Sequence, residues 1–106
     1  IRAFENRIVI YINDSYLANF TDTHSMEPVL DKKSTGIEVV PDSSNEIRVG
    51  DIISYTNNNE IIIHRVVKIG YDPEWYAITK GDNNPTNDPE RVRFNQVKRI
   101  LVGILY

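Results

Sequence analysis

In this chain no run of apolar residues continues far before a cluster of asparagine, aspartate, serine, glycine or proline interrupts it. β-Branched and aromatic residues fill the runs, and apolar positions at helical spacing are hard to find. Short strands divided by turn signals at intervals of roughly 8–12 residues are the pattern of an all-β barrel or sandwich. The expected fold class is mainly β: a small open barrel or sandwich of short antiparallel strands with long polar loops. A length of 106 residues leaves room for one domain, expected to span 1–106.

Arg7 to Ile12 (RIVIYI) reads as a strand, Asn13-Asp14-Ser15 turns the chain, and Tyr16 to Phe20 returns as its hairpin partner. Asp31 to Thr35 is loop-like and Ile37 to Val40 a short strand. Pro41 to Glu46 is a turn cluster, because Asp, Ser and Asn side chains bond their own backbone there. Asp51 to Tyr55 is a strand, and Asn57-Asn58-Asn59 turns into Glu60 to Ile69, the longest β-type run. Trp75 to Thr79 follows, then a polar loop over Gly81 to Glu90 and a closing strand over Gln96 to Tyr106. Arg91 to Leu101 also fits a short helix.

Composition narrows the function classes. Twelve basic residues stand against 15 acidic ones, a formal charge of −3 and a pI of about 5.3. A nucleic-acid binder needs a basic surplus to neutralise phosphates, so no nucleic-acid partner is expected. The absence of cysteine removes disulfides, thiolate catalysis and cysteine–zinc sites together. The longest apolar runs, such as Ile100 to Tyr106, fall far short of the ~20 residues of a membrane helix. Ile1 rather than methionine starts the sequence, which suggests a piece of a longer or processed protein; an anchor or signal segment upstream stays open.

Four polar positions carry candidate chemistry. Ser25 lies in Thr23-His24-Ser25-Met26-Glu27-Pro28, where Pro28 biases Glu27 towards an extended shape and Met26, Val29 and Leu30 anchor the segment. Its hydroxyl is either an ordinary turn or cap group, or one held stiffly enough for in-line attack. His64 lies in a strand apolar on both faces, as a core histidine bonded to a carbonyl or as a general base, since imidazole titrates near neutrality. Asp82 and Asp88 lie in a loop whose spacing does not match a calcium-binding EF-hand. Ser, His and Asp each lie beside a strand terminus, and nucleophilic catalysis needs these three roles in any chain order.

Four blocks occur in order: Ser25-Met26-Glu27-Pro28, Gly50-Asp51-Ile52-Ile53, Ile63-His64-Arg65-Val66 and Lys80-Gly81-Asp82-Asn83-Asn84. Together they resemble type I signal peptidases, most closely the archaeal and endoplasmic-reticulum branch, in which a histidine replaces the bacterial lysine base. The resemblance implies a mostly β serine endopeptidase that removes signal peptides from exported preproteins. It also implies a membrane tether near the N-terminus, outside this sequence, and a catalytic domain on the extracytoplasmic or lumenal face. Accessory subunits stay open, and no cofactor is implied.

By resemblance Ser25 is the nucleophile, His64 the base, Asp88 the acid that orients the imidazole, and Asp82 a second important acidic position. Thr23, Ser25 and Met26 fall in the oxyanion and substrate-binding segment. The family usually reads Ser-Gly-Ser-Met where this chain has Thr23-His24-Ser25-Met26, so Thr23 keeps a hydroxyl and His24 replaces a glycine. If the segment is extended, the His24 and Ser25 side chains point to opposite faces. Three other readings remain. The first is a catalytically silent relative with His24 blocking the site. The second is a metal-dependent hydrolase or metal-stabilised domain using His24, His64 and nearby aspartates, although no tight ligand spacing supports a metal site. The third is a self-cleaving serine–lysine protease, whose lysine base is missing at position 64.

Overall fold

The computed structural model describes residues 2–4, 7–9, 15–19 and 24–105. Their strands are β1 (Arg2–Phe4), β2 (Arg7–Val9), β3 (Ser15–Asn19), β4 (Thr35–Val39), β5 (Ile52–Asn57), β6 (Glu60–Tyr71), β7 (Trp75–Lys80), β8 (Val92–Arg93) and β9 (Val97–Leu105). The mainly β architecture is realised as one open antiparallel sheet of seven strands in the order β3-β4-β9-β5-β6-β7-β8, with β1 and β2 paired separately. The long polar loops lie between β3 and β4 and between β7 and β8.

Two local expectations change. Among the described residues the segment beginning at Tyr16 does not return along Arg7–Val9: β2 pairs with β1, and β3 pairs with β4 from Ser15↔Val39 to Asn19↔Thr35. A turn signal marks where the chain changes direction, whereas cross-strand packing decides which strand becomes the neighbour. The helical alternative over Arg91 to Leu101 is replaced by β8, a single 3-10 turn at Phe94–Gln96, and β9. Pairing of β9 with both β4 and β5 at the centre of the sheet overrides a weak local preference.

The Asn-rich turn falls where expected. Asn58 and Asn59 sit at φ 50° and 66° between the paired residues Asn57 and Glu60. Asparagine tolerates this left-handed backbone, and the two-residue turn matches the twist of the strands it joins. Successive residues of β5 then face opposite sides. Ile53 and Tyr55 join Val66, Trp75, Ala77, Val92 and Ile100 in one cluster, while Ile52 packs with Met26 and Leu30 in another. Ile53 and Val66 are fully buried. Burial of a side chain of this size contributes about 1.5–3 kcal/mol each. The second cluster fastens the Met26–Leu30 segment to the sheet. Glu38 of β4 is also buried; burial pushes its carboxyl up, and Arg99, 3.7 Å away, pulls it back.

Candidate active site

Ser25 stands at the head of a coiled segment, not an extended one. Residues 25–29 are turns, with Glu27 N–H donating to the His24 carbonyl at 3.3 Å and Leu30 N–H to the Met26 carbonyl at 2.9 Å. Coiling brings the side chains of Met26 and Leu30, 5% and 3% exposed, down together onto Ile52. That shared burial outweighs the extended preference expected next to Pro28. His24 enters the turn at φ 65°, in the left-handed region. Such backbone costs an ordinary residue about 1–2 kcal/mol and a glycine almost nothing. Nδ1 of His24 pairs with the Glu27 carboxylate on the surface.

His64 is held on β6 opposite Ile53 of β5. Its Nε2 lies 3.2 Å from Ser25 Oγ, and its Nδ1 lies 2.6 Å from Asp88 Oδ2. The structure therefore brings Ser25, His64 and Asp88 into one row, although they lie 39 and 24 positions apart in the chain. A carboxylate can only accept, so Nδ1 carries the ring proton towards Asp88 and leaves the Nε2 lone pair facing the serine hydroxyl. The imidazole of this row is mostly enclosed, with 12% of its side chain exposed.

Two residues not singled out from the sequence complete the row. Thr79 Oγ1 donates to Asp88 Oδ2 at 2.8 Å, and the Tyr55 hydroxyl lies 3.0 Å from Thr79 Oγ1 and 3.4 Å from Asp88 Oδ2. Burial pushes the Tyr55 phenol up to about 12, with the Thr79 hydrogen bond acting against that rise and Asp88 adding to it. Both residues read from sequence simply as strand positions. Alternation shows that a side chain faces inward, but it does not show which loop will arrive beneath it.

Asp82 is not joined to this row. Its carboxylate holds Arg65 through two bonds of 2.8 Å, and Arg65 also donates to the Gly50 carbonyl at 2.7 Å. Gly50, at φ 101°, occupies a backbone region open to glycine, and its N–H donates to the Val66 carbonyl. The Gly50-Asp51 and Gly81-Asp82 blocks are thus tied together around the residue following His64. The Met26 sulfur accepts the Asp82 N–H, and Asn83 donates through its N–H to the Ser25 carbonyl at 2.7 Å and through its side chain to the His24 carbonyl at 2.9 Å. The loop after β7 consequently clamps the serine turn. Thr23 lies outside the described residues. Met26 is placed with its side chain in the core beneath the serine.

The Asp82–Arg65 pair has a testable acid signature. Its hydrogen bonds with Arg65 hold the Asp82 carboxyl below its ordinary value of 3.8. The unfolded state then binds the proton more readily, so this contribution to stability is present above pH 3.8 and is lost as pH falls through the lowered value. In thermal melts, Asp82→Asn is expected to lower Tm at neutral pH, with the gap to the unmodified protein closing in strong acid. A gap of constant size would show that the pair does not contribute in this way.

Beside the row runs an open strand edge. β7 joins β6 only from Arg65↔Lys80 onward, so among the described residues no strand pairs with Glu60–His64 on the side away from β5. A groove of about 540 Å³ follows this edge, lined by Ile61, Ile62, Ile63 and His64 on one side and by Ser25, Met26 and Leu30 on the other. His24 and Asn84 also reach it. Among the described residues no three His, Asp or Glu side chains converge as a metal-ligand group, and no helix is long and apolar enough to cross a membrane.

No family model and no solved structure matches the chain. A stretch of 44 residues is 48% identical to an uncharacterized protein of Methanocaldococcus jannaschii. The match covers 41% of this chain, which spans only 22% of that relative's length.

Proposed function

We propose that this domain is a serine endopeptidase of the type I signal-peptidase kind, which removes N-terminal signal peptides from exported preproteins. The observation that carries the reading is the Ser25–His64–Asp88 row, with separations of 3.2 and 2.6 Å, opening onto the β6 edge that no strand covers among the described residues. An extended peptide can add to such an edge through backbone hydrogen bonds, with alternate side chains entering the apolar groove. The scissile carbonyl then lies beside Ser25.

In the proposed reaction Ser25 Oγ forms a bond to the carbonyl carbon as its proton passes to His64 Nε2. The oxyanion is held by the Ser25 N–H; a donor of this kind is typically worth about 3–4 kcal/mol. Collapse of the tetrahedral intermediate breaks the C–N bond, and the leaving amine takes the proton from Nε2. Water, deprotonated by His64, then releases the acyl group and restores the serine. Asp88 stabilises the imidazolium in both halves. Signal peptides are the substrate class, and the parent protein is anchored in a membrane with this domain on its extracytoplasmic or lumenal face.

Incubation with a preprotein bearing a signal peptide is expected to yield one mature N-terminus, identified by mass spectrometry, and a serine-directed phosphonate is expected to label Ser25. The silent-relative reading draws on His24, which lines the groove where the family has glycine. Neither product nor label would favour it over the peptidase.

A further inference from the structure

Asp88 sits in the loop between β7 and β8, outside any strand, yet its carboxylate must hold one orientation to direct His64. Thr79, the penultimate residue of β7 and fully buried, holds it twice. Its carbonyl accepts the Asp88 N–H at 2.8 Å, and its hydroxyl donates to Asp88 Oδ2 at 2.8 Å. A hydroxyl has one hydrogen to give. With that of Thr79 committed to the carboxylate, the Tyr55 hydroxyl at 3.0 Å donates to Thr79 Oγ1. The hydrogen bonds then run one way, from Tyr55 to Thr79 to Asp88, meeting the Nδ1–H of His64 at the same carboxylate oxygen. Chains of this polarity strengthen each member where water is excluded.

We infer that Thr79 and Tyr55 are positioning residues, which lock the Asp88 carboxylate and, through it, the ring plane and Nδ1–H tautomer of His64. The inference deepens the serine-peptidase reading and rests on it for its kinetic consequence, but not for its structural one. Thr79→Val keeps the side-chain shape while removing both the donor to Asp88 and the acceptor for Tyr55. Left without Thr79 Oγ1, the Tyr55 hydroxyl, which already donates to Asp88 Oδ2 at 3.4 Å, gives its hydrogen wholly to the carboxylate and draws it off the imidazole. Thr79→Ser retains the hydroxyl and restores the arrangement.

The test combines turnover of a signal-peptide substrate with nitrogen NMR of His64, on the full chain. For Thr79→Val, loss of a hydrogen bond to a charged partner is expected to lower kcat about tenfold, with KM unchanged and Thr79→Ser near the unmodified value. In the same variant the imidazole signals shift from a pure Nδ1–H tautomer to a mixture with Nε2–H, a change that a purely structural role would not produce. An unchanged tautomer in folded Thr79→Val overturns the inference. If valine prevents folding, Tyr55→Phe decides against Thr79→Ser: reduced tautomer purity in the first and normal purity in the second support the lock, and normal purity in both overturns it. Equal turnover by the unmodified protein and Ser25→Ala would remove the peptidase reading alone, because the tautomer measurement still decides the lock.

Discussion

Ser25→Ala is expected to lower cleavage of a signal-peptide substrate by about 10⁴-fold or more, and His64→Ala to lower it as far. Both losses follow from one geometry, in which the Ser25 hydroxyl faces His64 Nε2 at 3.2 Å. Alanine at 25 leaves no atom to form the acyl-enzyme. At 64 it leaves the hydroxyl without an acceptor for its proton. Because the two groups act in a single step, the double variant should be hardly worse than either single one. Asp88→Asn should fall between these variants and the unmodified protein, since an amide on Nδ1 favours the wrong tautomer and leaves the imidazolium uncompensated. Asp82→Asn should be milder, because its carboxylate meets Arg65 and not the row. Initial rates with purified variants, separated by chromatography of the two products, give the ranking. Unimpaired cleavage by Ser25→Ala would sink the proposed function.

The second large effect is expected at Gly81. A methyl group placed there would lie 2.7 Å from the Ser25 carbonyl oxygen, 3.0 Å from His64 Nε2 and 2.6 Å from the Asn84 side-chain nitrogen. Asn84 can swing aside, but the Ser25 carbonyl is backbone and is held by Asn83 N–H at 2.7 Å. The added carbon therefore pushes the serine turn away from the imidazole. A displacement near 1 Å at a reacting pair costs about 10²-fold in rate, and overpacking of this kind costs about 1–3 kcal/mol of stability. Gly81→Ala should accordingly cleave on the order of 10²-fold more slowly than the unmodified protein while still showing a cooperative melt at lower temperature. Normal rates with a normal melt would mean that the loop and the serine turn are not packed as tightly as these distances state.

How far each feature was readable follows from its range in the chain. The Asn58-Asn59 turn was legible because two residues supply their own left-handed backbone. The partner of β3 was not, since the choice between β2 and β4 depends on packing that no local signal encodes. The coil at Ser25 was not legible for a related reason. Pro28 biases one residue, whereas Met26 and Leu30 gain their burial only once Ile52 is in place. In the candidate site, Ser25, His64 and Asp82 stood out through motif blocks, and Asp88 by its place six positions after the last of these. That Asp82 meets Arg65 while Asp88 meets the imidazole is visible only in the coordinates. Tyr55 and Thr79 carried no motif at all.

The order of apolar runs and turn residues was enough to commit this chain to strands, because a two-residue period and a turn-forming side chain act over a few neighbours. It also named the hydroxyl, the imidazole and the carboxylates. Distances between positions 25, 64 and 88 belong to a different scale. They are set by the pairing of β5, β6 and β7, by the burial of Met26 and Leu30 against Ile52, and by the close approach that Gly81 permits. Those are non-local packing forces, so proximity of the three groups arises only when the whole sheet has formed.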